Sequence, residues 1–275
     1  MIKHIIHIAD IHIPNDEETR PYSEMIESFL AELYDKVKDY NKEELRIVIA
    51  GDIFQQKIKA SNESKEIFHS MLNYLNAIGQ TILIAGNHDM LQNNKKRKDS
   101  ISPTFKIHGV YPNITYFDKK LDYKSGIIVD DNVIWVLYSI FDNFRQIDIE
   151  AVKEKYPNHT IIGLYHGEVN GATNDMGYQM SNGTDGAIFE GCDCVMAGHI
   201  HKHQEIKKNG VPIVYAGSLF QKDSGENITG HGFVIWDIEN MTYKLHQVQN
   251  KYKIYNFNIS SYDDVANNKE ILINY

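Results

Sequence analysis

The stretch Leu-Arg-Ile-Val-Ile-Ala-Gly-Asp-Ile-Phe, residues 45–54, contains the pattern from which the fold can be predicted. An apolar run of β-forming residues, 45–50, passes without a break into the short motif Gly51-Asp52. Such a run predicts a buried strand, so the motif lies where that strand ends. The same arrangement occurs at residues 2–9, followed by Asp10-Ile11-His12, and at residues 81–85, followed by Gly86-Asn87-His88-Asp89.

Two amphipathic helices are predicted between these three strands. Apolar residues recur there at helical spacing, and Gly79 is placed to stop the second helix. The apolar positions are Ile26, Phe29, Leu30, Leu33, Tyr34 and Val37 in the first helix and Ile67, Phe68, Met71, Leu72, Leu75 and Ile78 in the second. A βαβαβ order predicts parallel strands with right-handed crossovers, and catalytic loops of such sheets lie at the carboxyl ends of the strands. Three of the motifs are therefore expected at one edge of a sheet.

The second half of the chain is richer in strands. Two further motifs, Tyr165-His166-Gly167 and Gly198-His199-Ile200-His201, also follow strand-like runs. The predicted strands are 125–130, 133–139, 160–165, 193–197, 211–216, 232–238 and 242–248. We expect an α/β fold in which two packed β-sheets are flanked by helices, an α/β/β/α sandwich. It is predicted to occupy residues 1–250 as one domain, and residues 251–275 are predicted to form a C-terminal extension with a strand from Tyr252 to Ile259 and a short helix from Ser261.

The five motifs supply carboxylates, imidazoles and one amide, which together can hold two metal ions. Imidazole and carboxylate ligands suit manganese, iron or zinc, whereas thiolate-rich sites select zinc or iron-sulfur clusters. One carboxylate at a strand end can bridge two ions about 3.5–4 Å apart, the separation that stabilises both oxygens of a phosphoryl displacement. Asp52 is the candidate for this bridge.

Composition limits the classes of protein that need to be considered. The 275 residues include 42% hydrophobic and 24% charged residues, which is ordinary for a globular enzyme. The two cysteines, Cys192 and Cys194, lie too close together in a strand-like run to predict a disulfide, so we expect packing roles and a reducing compartment. The sequence contains no apolar run long enough for a membrane span, and its first eight residues lack the features of a signal peptide. A cytoplasmic protein is predicted, with no membrane partner.

The net charge of −9 has to be weighed against nucleic-acid binding, because proteins that grip DNA by its phosphates usually carry a basic patch. Local charge can matter more than the total. A basic run follows the Gly86–Asp89 motif within a few residues and consists of Lys95, Lys96, Arg97 and Lys98. It either contacts DNA beside the metal ions or forms a solvated loop, and the sequence favours neither.

The ordered set Asp-x-His, Gly-Asp, Gly-Asn-His-Asp, His-Gly and Gly-His-x-His, residues 10–201, resembles the calcineurin-like metallophosphoesterase superfamily. Within it, Gly51-Asp52-Ile53-Phe54 and His166-Gly167 with Gly171 resemble motifs of the SbcD-type DNA repair nucleases, which include phage recombination endonuclease subunits. Tyr215-Ala216-Gly217-Ser218 and His231-Gly232-Phe233 resemble the segments that close the second sheet of those nucleases. The Ser/Thr phosphatase branch is disfavoured because its Asp-Arg-Gly run and Gly-Asn-His-Glu motif are absent.

The resemblance implies a specific set of ligands. Asp10, His12, Asp52 and His201 would hold one ion, while Asp52, Asn87, His166 and His199 would hold the other. His88 would face the phosphate as general acid or as a stabiliser of charge on the leaving oxygen. A hydroxide between the ions would form near neutral pH, because metal-bound water has a lowered pKa, and a histidine can then protonate the departing oxygen.

Two departures from the SbcD pattern bear on activity. The family usually has Asp or His after Gly-Asp-Ile-Phe, whereas this chain has Gln55, which cannot transfer a proton. The balance between exonuclease and endonuclease action is therefore open. SbcD-type chains also continue into a DNA-capping domain and a helical segment that binds the SMC-like ATPase SbcC. Residues 251–275 are the expected start of such a region.

The sequence therefore predicts a DNA phosphodiester hydrolase of the SbcD type, with manganese as the favoured metal and magnesium, iron or zinc as alternatives. DNA and an SbcC-type ATPase are the expected partners. The helices near residues 61–78 could form a homodimer, or they could be buried on the sheet of the same chain. The competing functions are a small-molecule phosphodiesterase or phosphatase with the same metals, and a non-catalytic subunit that binds DNA or a partner.

Overall fold

The structure, a computed structural model, describes residues 1–15, 19–57, 59–94, 96–107, 111–142, 146–256, 259–261 and 263–264. Its strands are β1 (His4–Ile8), β2 (Leu45–Ala50), β3 (Gln80–Ile84), β4 (Ile114–Tyr116), β5 (Gly126–Asp130), β6 (Val133–Tyr138), β7 (Thr160–His166), β8 (Cys194–Gly198), β9 (Gln204–Lys208), β10 (Val211–Tyr215), β11 (Gly232–Asp237) and β12 (Thr242–Gln247). Its helices are α1 (Thr19–Val37), α2 (Asn62–Ile78), α3 (Ser102–Ile107), α4 (Phe117–Lys120) and α5 (Ile149–Lys155), with 3-10 turns at Lys42–Glu44 and Gly186–Phe189.

The strands form two mixed sheets of six strands each, as predicted. The first has the order β12-β11-β1-β2-β3-β4 and the second has the order β5-β6-β7-β8-β10-β9. Strands β1 to β4 are parallel, as are β6, β7, β8 and β10. Antiparallel strands form the edges at β12, β5 and β9, whereas the edge at β4 is parallel. The predicted α/β sandwich of two sheets flanked by helices is therefore confirmed.

Alternation along each strand divides the interior into layers. On β1, Ile6 and Ile8 pack against the flanking helices, whereas Ile5 and Ala9 pack between the two sheets. Side chains of successive strand residues point to opposite faces, so a strand buried on both sides is apolar throughout. This explains the unbroken apolar runs that precede the motifs.

Helix α2 covers one side of the first sheet. Ser61 caps it by accepting a hydrogen bond from the Ser64 backbone N–H, and it ends at Gly79, whose N–H donates to the Leu75 carbonyl at 3.1 Å. All six apolar residues predicted for its inner face are buried, namely Ile67, Phe68, Met71, Leu72, Leu75 and Ile78. The face offered by the sequence for a homodimer is therefore used within this chain's own core.

Two strands, β9 and β4, were not predicted from the sequence. Strand β9 has the polar sequence Gln-Glu-Ile-Lys-Lys because it lies at a sheet edge, where charged residues are typical. The predicted Asn209-Gly210 turn does join it to β10, and both turn residues have positive φ. Strand β4 has only three residues, too few for a periodic signal.

The strand predicted from Tyr252 to Ile259 is wrong for residues 252–256 and 259, which lie outside any strand. Residues 257–258 of that prediction, and most of the helix predicted from Ser261, lie outside the described residues. The segment after β12 instead packs on α1, where the Gln249 N–H donates to Glu32 at 3.0 Å and the Tyr252 hydroxyl donates to Glu24 at 2.8 Å. The domain boundary at residue 250 stays a prediction.

Within the described part of the chain, none of the helices combines the length and the apolar character that crossing a bilayer requires. Cys192 and Cys194 are buried free thiols, as expected for packing residues.

Candidate metal centre

Five loops meet at the carboxyl ends of β1, β2, β3, β7 and β8. Backbone hydrogen bonds join the first two of them, because the Asp10 N–H donates to the Gly51 carbonyl at 3.1 Å and the His12 N–H donates to the Asp52 carbonyl at 2.9 Å. The loop after β8 is joined by the His199 N–H, which donates to the Asp10 carboxylate at 2.9 Å. All five motifs from the sequence therefore lie at one edge of the sandwich.

Two motif glycines allow this close approach. A Cβ added to Gly198 would lie 2.2 Å from the Ala50 carbonyl oxygen of the other sheet. A Cβ added to Gly86 would lie 2.1 Å from Asp52 Oδ1. Both distances are far inside van der Waals contact, so any other residue would push the two strand ends apart.

Four of the seven predicted ligands have left-handed backbone. The φ angles are 50° at Asp10, 53° at His12, 53° at Asp52 and 96° at His199. Such conformations cost about 1–3 kcal/mol each where the residue is not glycine, and they persist only where the surrounding structure imposes them. At these four positions the left-handed backbone turns the polar side chains out of the strand direction and toward one another.

The first cluster consists of Asp10, His12, Asp52 and His201. The Nε2 atoms of His12 and His201 lie 3.0 Å apart. His12 Nε2 is also 3.9 Å from Asp10 Oδ1 and 3.7 Å from Asp52 Oδ2. These are the residues predicted to hold one metal ion.

The second cluster consists of Asp52, Asn87, His166 and His199. His166 Nε2 lies 3.3 Å from Asp52 Oδ2 and 3.2 Å from Asn87 Oδ1. The same Asn87 oxygen lies 2.8 Å from His199 Nδ1. Asp52 Oδ2 thus belongs to both clusters, as the bridging role requires.

The donor atoms fit divalent cations. His166 Nδ1 lies 2.7 Å from the Ala50 carbonyl oxygen and must donate to it, so Nε2 turns its lone pair to two oxygen atoms. Those atoms repel one another unless a proton or a cation lies among them. Carboxylate, imidazole and amide donors without any thiolate suit manganese, iron or zinc.

The pKa values of the clustered side chains reflect their burial and their short distances from one another. Burial raises the pKa of Asp10 to about 6. Burial also opposes the charge on Asp52, but the His166 and His12 rings hold the pKa of that carboxyl below its usual range. Burial favours a neutral His166, yet the Asp52 carboxylate raises the pKa of His166 to about 9. In contrast, burial and the His166 ring lower the pKa of His199 to about 3.

His88 borders both clusters. Its backbone N–H donates to Asp52 Oδ1 at 2.8 Å, and its Nδ1 donates to the Gln55 carbonyl oxygen at 2.7 Å. A ring nitrogen of His88 comes within 4.8 Å of donor atoms of His12 and Asp52. Gln55, the departure noted in the sequence, therefore holds His88 through its main chain, which any residue could provide.

The basic run is only partly described. Lys96, Arg97 and Lys98 are exposed on a turn, and Lys95 lies outside the described residues. None of the three described side chains is among the clustered ligands. Their predicted contact with DNA stays a prediction.

Two buried carboxylates support the loops from behind. Asp89 accepts hydrogen bonds from the backbone N–H groups of Ile53, Phe54 and Gly86 at 3.0, 3.1 and 2.9 Å, and burial raises its pKa to about 7. Asp118 accepts from the Ala85 N–H at 2.8 Å. Asp89 thus joins the second loop to the third.

Sequence reasoning did not find Asp118 or Glu226, whose carboxylate contacts His201 Nδ1. Their partners lie 33 and 25 residues away along the chain, so no local motif marks them. His203, considered as a neighbour of the ligands, instead donates from Nδ1 to the Tyr215 carbonyl at 2.8 Å.

Comparisons with known proteins show the family of this chain. The family model of calcineurin-like phosphoesterases matches residues 3–203. An uncharacterized protein of Acanthamoeba polyphaga mimivirus is 34% identical over 257 residues, which are 91% of this chain and 18% of that relative. The chain thus spans less than a fifth of the relative's length.

Two solved structures are similar to this chain. A purple acid phosphatase from yellow lupin is similar with a TM-score of 0.50 and 12% identity, over 86% of this chain and 49% of that one. An archaeal phosphodiesterase is similar with a TM-score of 0.41 and 13% identity, over 88% of this chain and 97% of that one.

Proposed function

The chain belongs to the calcineurin-like phosphoesterase family, and on that basis we propose that it is a two-metal phosphodiesterase that cleaves DNA, of the SbcD type. The observation that carries the two-metal part is the position of Asp52 Oδ2, which lies 3.7 Å from His12 Nε2 in one cluster and 3.3 Å from His166 Nε2 in the other. One carboxylate oxygen between two sets of donors is what a bridging ligand requires.

Asp10, His12, Asp52 and His201 would hold one ion, and Asp52, Asn87, His166 and His199 the other. When bound, such a pair supplies Lewis acidity and a nucleophilic oxygen at neutral pH. The residues of the chain itself orient the phosphodiester. His88 is fixed through Nδ1 by the Gln55 carbonyl, which leaves Nε2 to donate a proton, or a hydrogen bond, to the departing oxygen.

The preference for DNA rests on the resemblance of the Gly51–Phe54 and His166–Gly171 motifs to SbcD-type nucleases, together with the exposed Lys96, Arg97 and Lys98. Binding by contacts to several phosphates weakens steeply with added salt. We expect duplex or single-stranded DNA to bind with such a slope, and substitution of these three side chains by Gln to flatten it. A mononucleotide site would not give this dependence.

The test of activity uses end-labelled linear duplex, single-stranded and hairpin DNA with manganese, magnesium or zinc. Manganese-dependent cleavage of at least one of these substrates is expected. Cleavage of bis(p-nitrophenyl) phosphate without cleavage of any DNA would refute the DNA assignment. Absence of hydrolysis of both kinds of substrate would favour a non-catalytic subunit.

A small-molecule phosphodiesterase is the second candidate, and one observation favours it. A cavity of about 270 Å³ opens beside His199 and His201, and its walls include the carboxylates of Glu168 and Asp175 with the exposed side chain of Met176. Negative walls repel further phosphates of a long polyanion but accept a compact group that carries hydrogen-bond donors. A mononucleotide ester cleaved faster than any DNA would support this candidate.

The partners stay proposals. We assign no surface of the described residues to an SbcC-type ATPase. A homodimer would need a surface other than the buried face of α2. Sedimentation of the chain at increasing concentration, with and without DNA, tests the homodimer.

A further inference from the structure

Glu226 contacts the metal centre from outside. Its Oε1 accepts from His201 Nδ1 at 2.5 Å, and its Oε2 accepts from the Lys222 backbone N–H at 2.8 Å. The side chain is only 9% exposed, although it lies in a loop between β10 and β11. A buried carboxylate with both oxygens engaged has one defined orientation.

The contact determines which nitrogen of His201 can face a cation. Because Nδ1 donates to a carboxylate, the remaining lone pair is on Nε2, the atom 3.0 Å from His12 Nε2 in the first cluster. A carboxylate behind a ligating imidazole fixes its tautomer and ring orientation and makes the nitrogen a stronger donor.

The loop that carries Glu226 is itself held in place. Gln221 donates from Nε2 to the Glu226 carbonyl at 3.2 Å, and it exchanges two hydrogen bonds with the Ile254 backbone at 3.1 and 2.9 Å. Lys222 Nζ donates to the His12 carbonyl at 3.1 Å. The same loop thus contacts both histidines of the first cluster, the ring of His201 and the backbone of His12.

The other clustered imidazoles differ in this respect. His166 donates to a neutral carbonyl, that of Ala50. His199 Nε2 lies 3.6 Å from Glu168, a carboxylate that is 43% exposed. Within the described residues, His201 is therefore the clustered imidazole whose nitrogen directed away from the candidate ligands donates to a carboxylate at hydrogen-bond distance.

We propose that Glu226 is a positioning residue, which aims His201 Nε2 into the first cluster and thereby strengthens binding of a divalent cation there but not in the second cluster. The inference rests on the two-metal part of the proposed function and is independent of the substrate. The ligand whose binding the proposal concerns is the divalent cation alone.

The test is a titration of the metal-free full chain with Mn²⁺, followed by electron paramagnetic resonance and calorimetry. The unchanged chain is expected to bind two ions. Glu226→Ala should weaken one of the two sites about 10–100-fold and leave the other unchanged, the usual effect of removing such a carboxylate. Glu226→Gln keeps an acceptor oxygen but loses the charge, so its Mn²⁺ affinity at that site should lie between the affinities of the unchanged chain and of Glu226→Ala.

Asp223→Asn is the matched control. Asp223 is in the same loop, and its carboxylate accepts from the Gly225 N–H at 2.7 Å. The Asp223→Asn variant should bind both ions with unchanged affinity. It removes one negative charge from the same loop but leaves the contact between Glu226 and His201 in place. Equal weakening by Asp223→Asn and Glu226→Gln would mean a general charge effect and would overturn the proposal.

A double-mutant cycle with His201→Ala separates positioning from folding. If Glu226 acts through His201, Glu226→Ala should cause no further loss of Mn²⁺ affinity in the His201→Ala background. An equal loss in both backgrounds, or two wild-type affinities in Glu226→Ala, would overturn the proposal. If Glu226→Ala unfolds by circular dichroism, Glu226→Gln decides. Two bound ions without hydrolysis of DNA would contradict the proposed substrate and leave this inference standing.

Discussion

The two ends of strand β2 hold buried charges in opposite ways. Arg46, near its start, forms a bidentate pair with Asp130 of the second sheet at 2.7 and 2.8 Å, and Trp135 Nε1 donates to the same carboxylate at 3.1 Å. Asp52 follows its end, about 20 Å away. There Asp10 and Asp52 crowd together with four imidazoles, and among the described residues no lysine or arginine pairs with these carboxylates in this way.

The difference separates a structural end from a functional one. At the Arg46 end each charge has its partner, and the left-handed residue beside Asp130, Asp131 with a φ of 50°, lies in the turn between β5 and β6. At the Asp52 end, buried carboxylates coincide with left-handed backbone at Asp10, His12 and Asp52. Folding tolerates such conflicts where a ligand relieves them, so the conflict itself locates the site.

Asp52→Asn is the largest expected change. Losing the shared oxygen's charge should remove at least one ion per chain and reduce phosphodiester hydrolysis to background, as measured by elemental analysis and by a chromogenic diester. Asp130→Asn, the same substitution at the other end, should lower the melting temperature and leave the metal content unchanged. Unchanged metal stoichiometry in Asp52→Asn would contradict the bridging assignment.

His88→Ala should keep both ions and lose about 10²–10⁴-fold in kcat, the usual contribution of a general acid. Metal content and kcat are measured on the same preparation, so a loss of ions cannot be mistaken for a loss of proton donation. His159→Ala serves as the control, because His159 precedes β7 at the end of that strand opposite to His166. Full activity of His88→Ala would remove its assigned role.

Arg46→Ala tests the structural end. The substitution leaves Asp130 without its cation. Breaking a buried ion pair is strongly destabilising, but the Asp130 side chain is 21% exposed, so we expect the unfolding free energy to fall by about 2–3 kcal/mol, near the lower limit for such a pair. Urea denaturation measures it. Lys38→Ala breaks an exposed pair with Asp35 and should cause no measurable loss of stability. Equal losses in the two variants would mean that the Arg46 pair contributes no more than a surface contact.

His7→Leu is the smallest expected effect, and it lies between the two ends. His7 is fully buried between the sheets beside Ile5 and Ala9, and neither ring nitrogen reaches a well-aligned partner among the described residues. Burial, with His203 nearby, lowers its pKa to about 3. Removing an unsatisfied imidazole should stabilise the protein by about 1 kcal/mol at pH 7.

The same substitution should flatten the pH dependence of stability. The folded pKa lies below the unfolded value of 6.5, so the unfolded chain binds more protons in between, and stability falls as pH drops from 6.5 toward 3. The slope approaches about 1.4 kcal/mol per pH unit for one such group. An identical pH profile in His7→Leu would show that His7 is not the group responsible.

Much of the fold could be predicted because its signals are local. Strand β2 was predicted at residues 45–50, as observed, since a strand buried on both faces must be apolar at every position. The end of α2 at Gly79 followed from one glycine. Strand β9 was missed because an edge strand can be polar. The segment after β12 was misread because it contacts α1 through hydrogen bonds and does not extend the sheet.

For the site, the sequence by itself determined which side chains could serve as ligands and that each follows a strand, because strand periodicity and the order of the motifs are written along the chain. Only the tertiary structure decided that ligands from both sheets meet around one oxygen of Asp52. It also decided that Asp89, Asp118 and Glu226 hold them from behind. These contacts join residues far apart in the chain, and the packing of one sheet on the other brings them together.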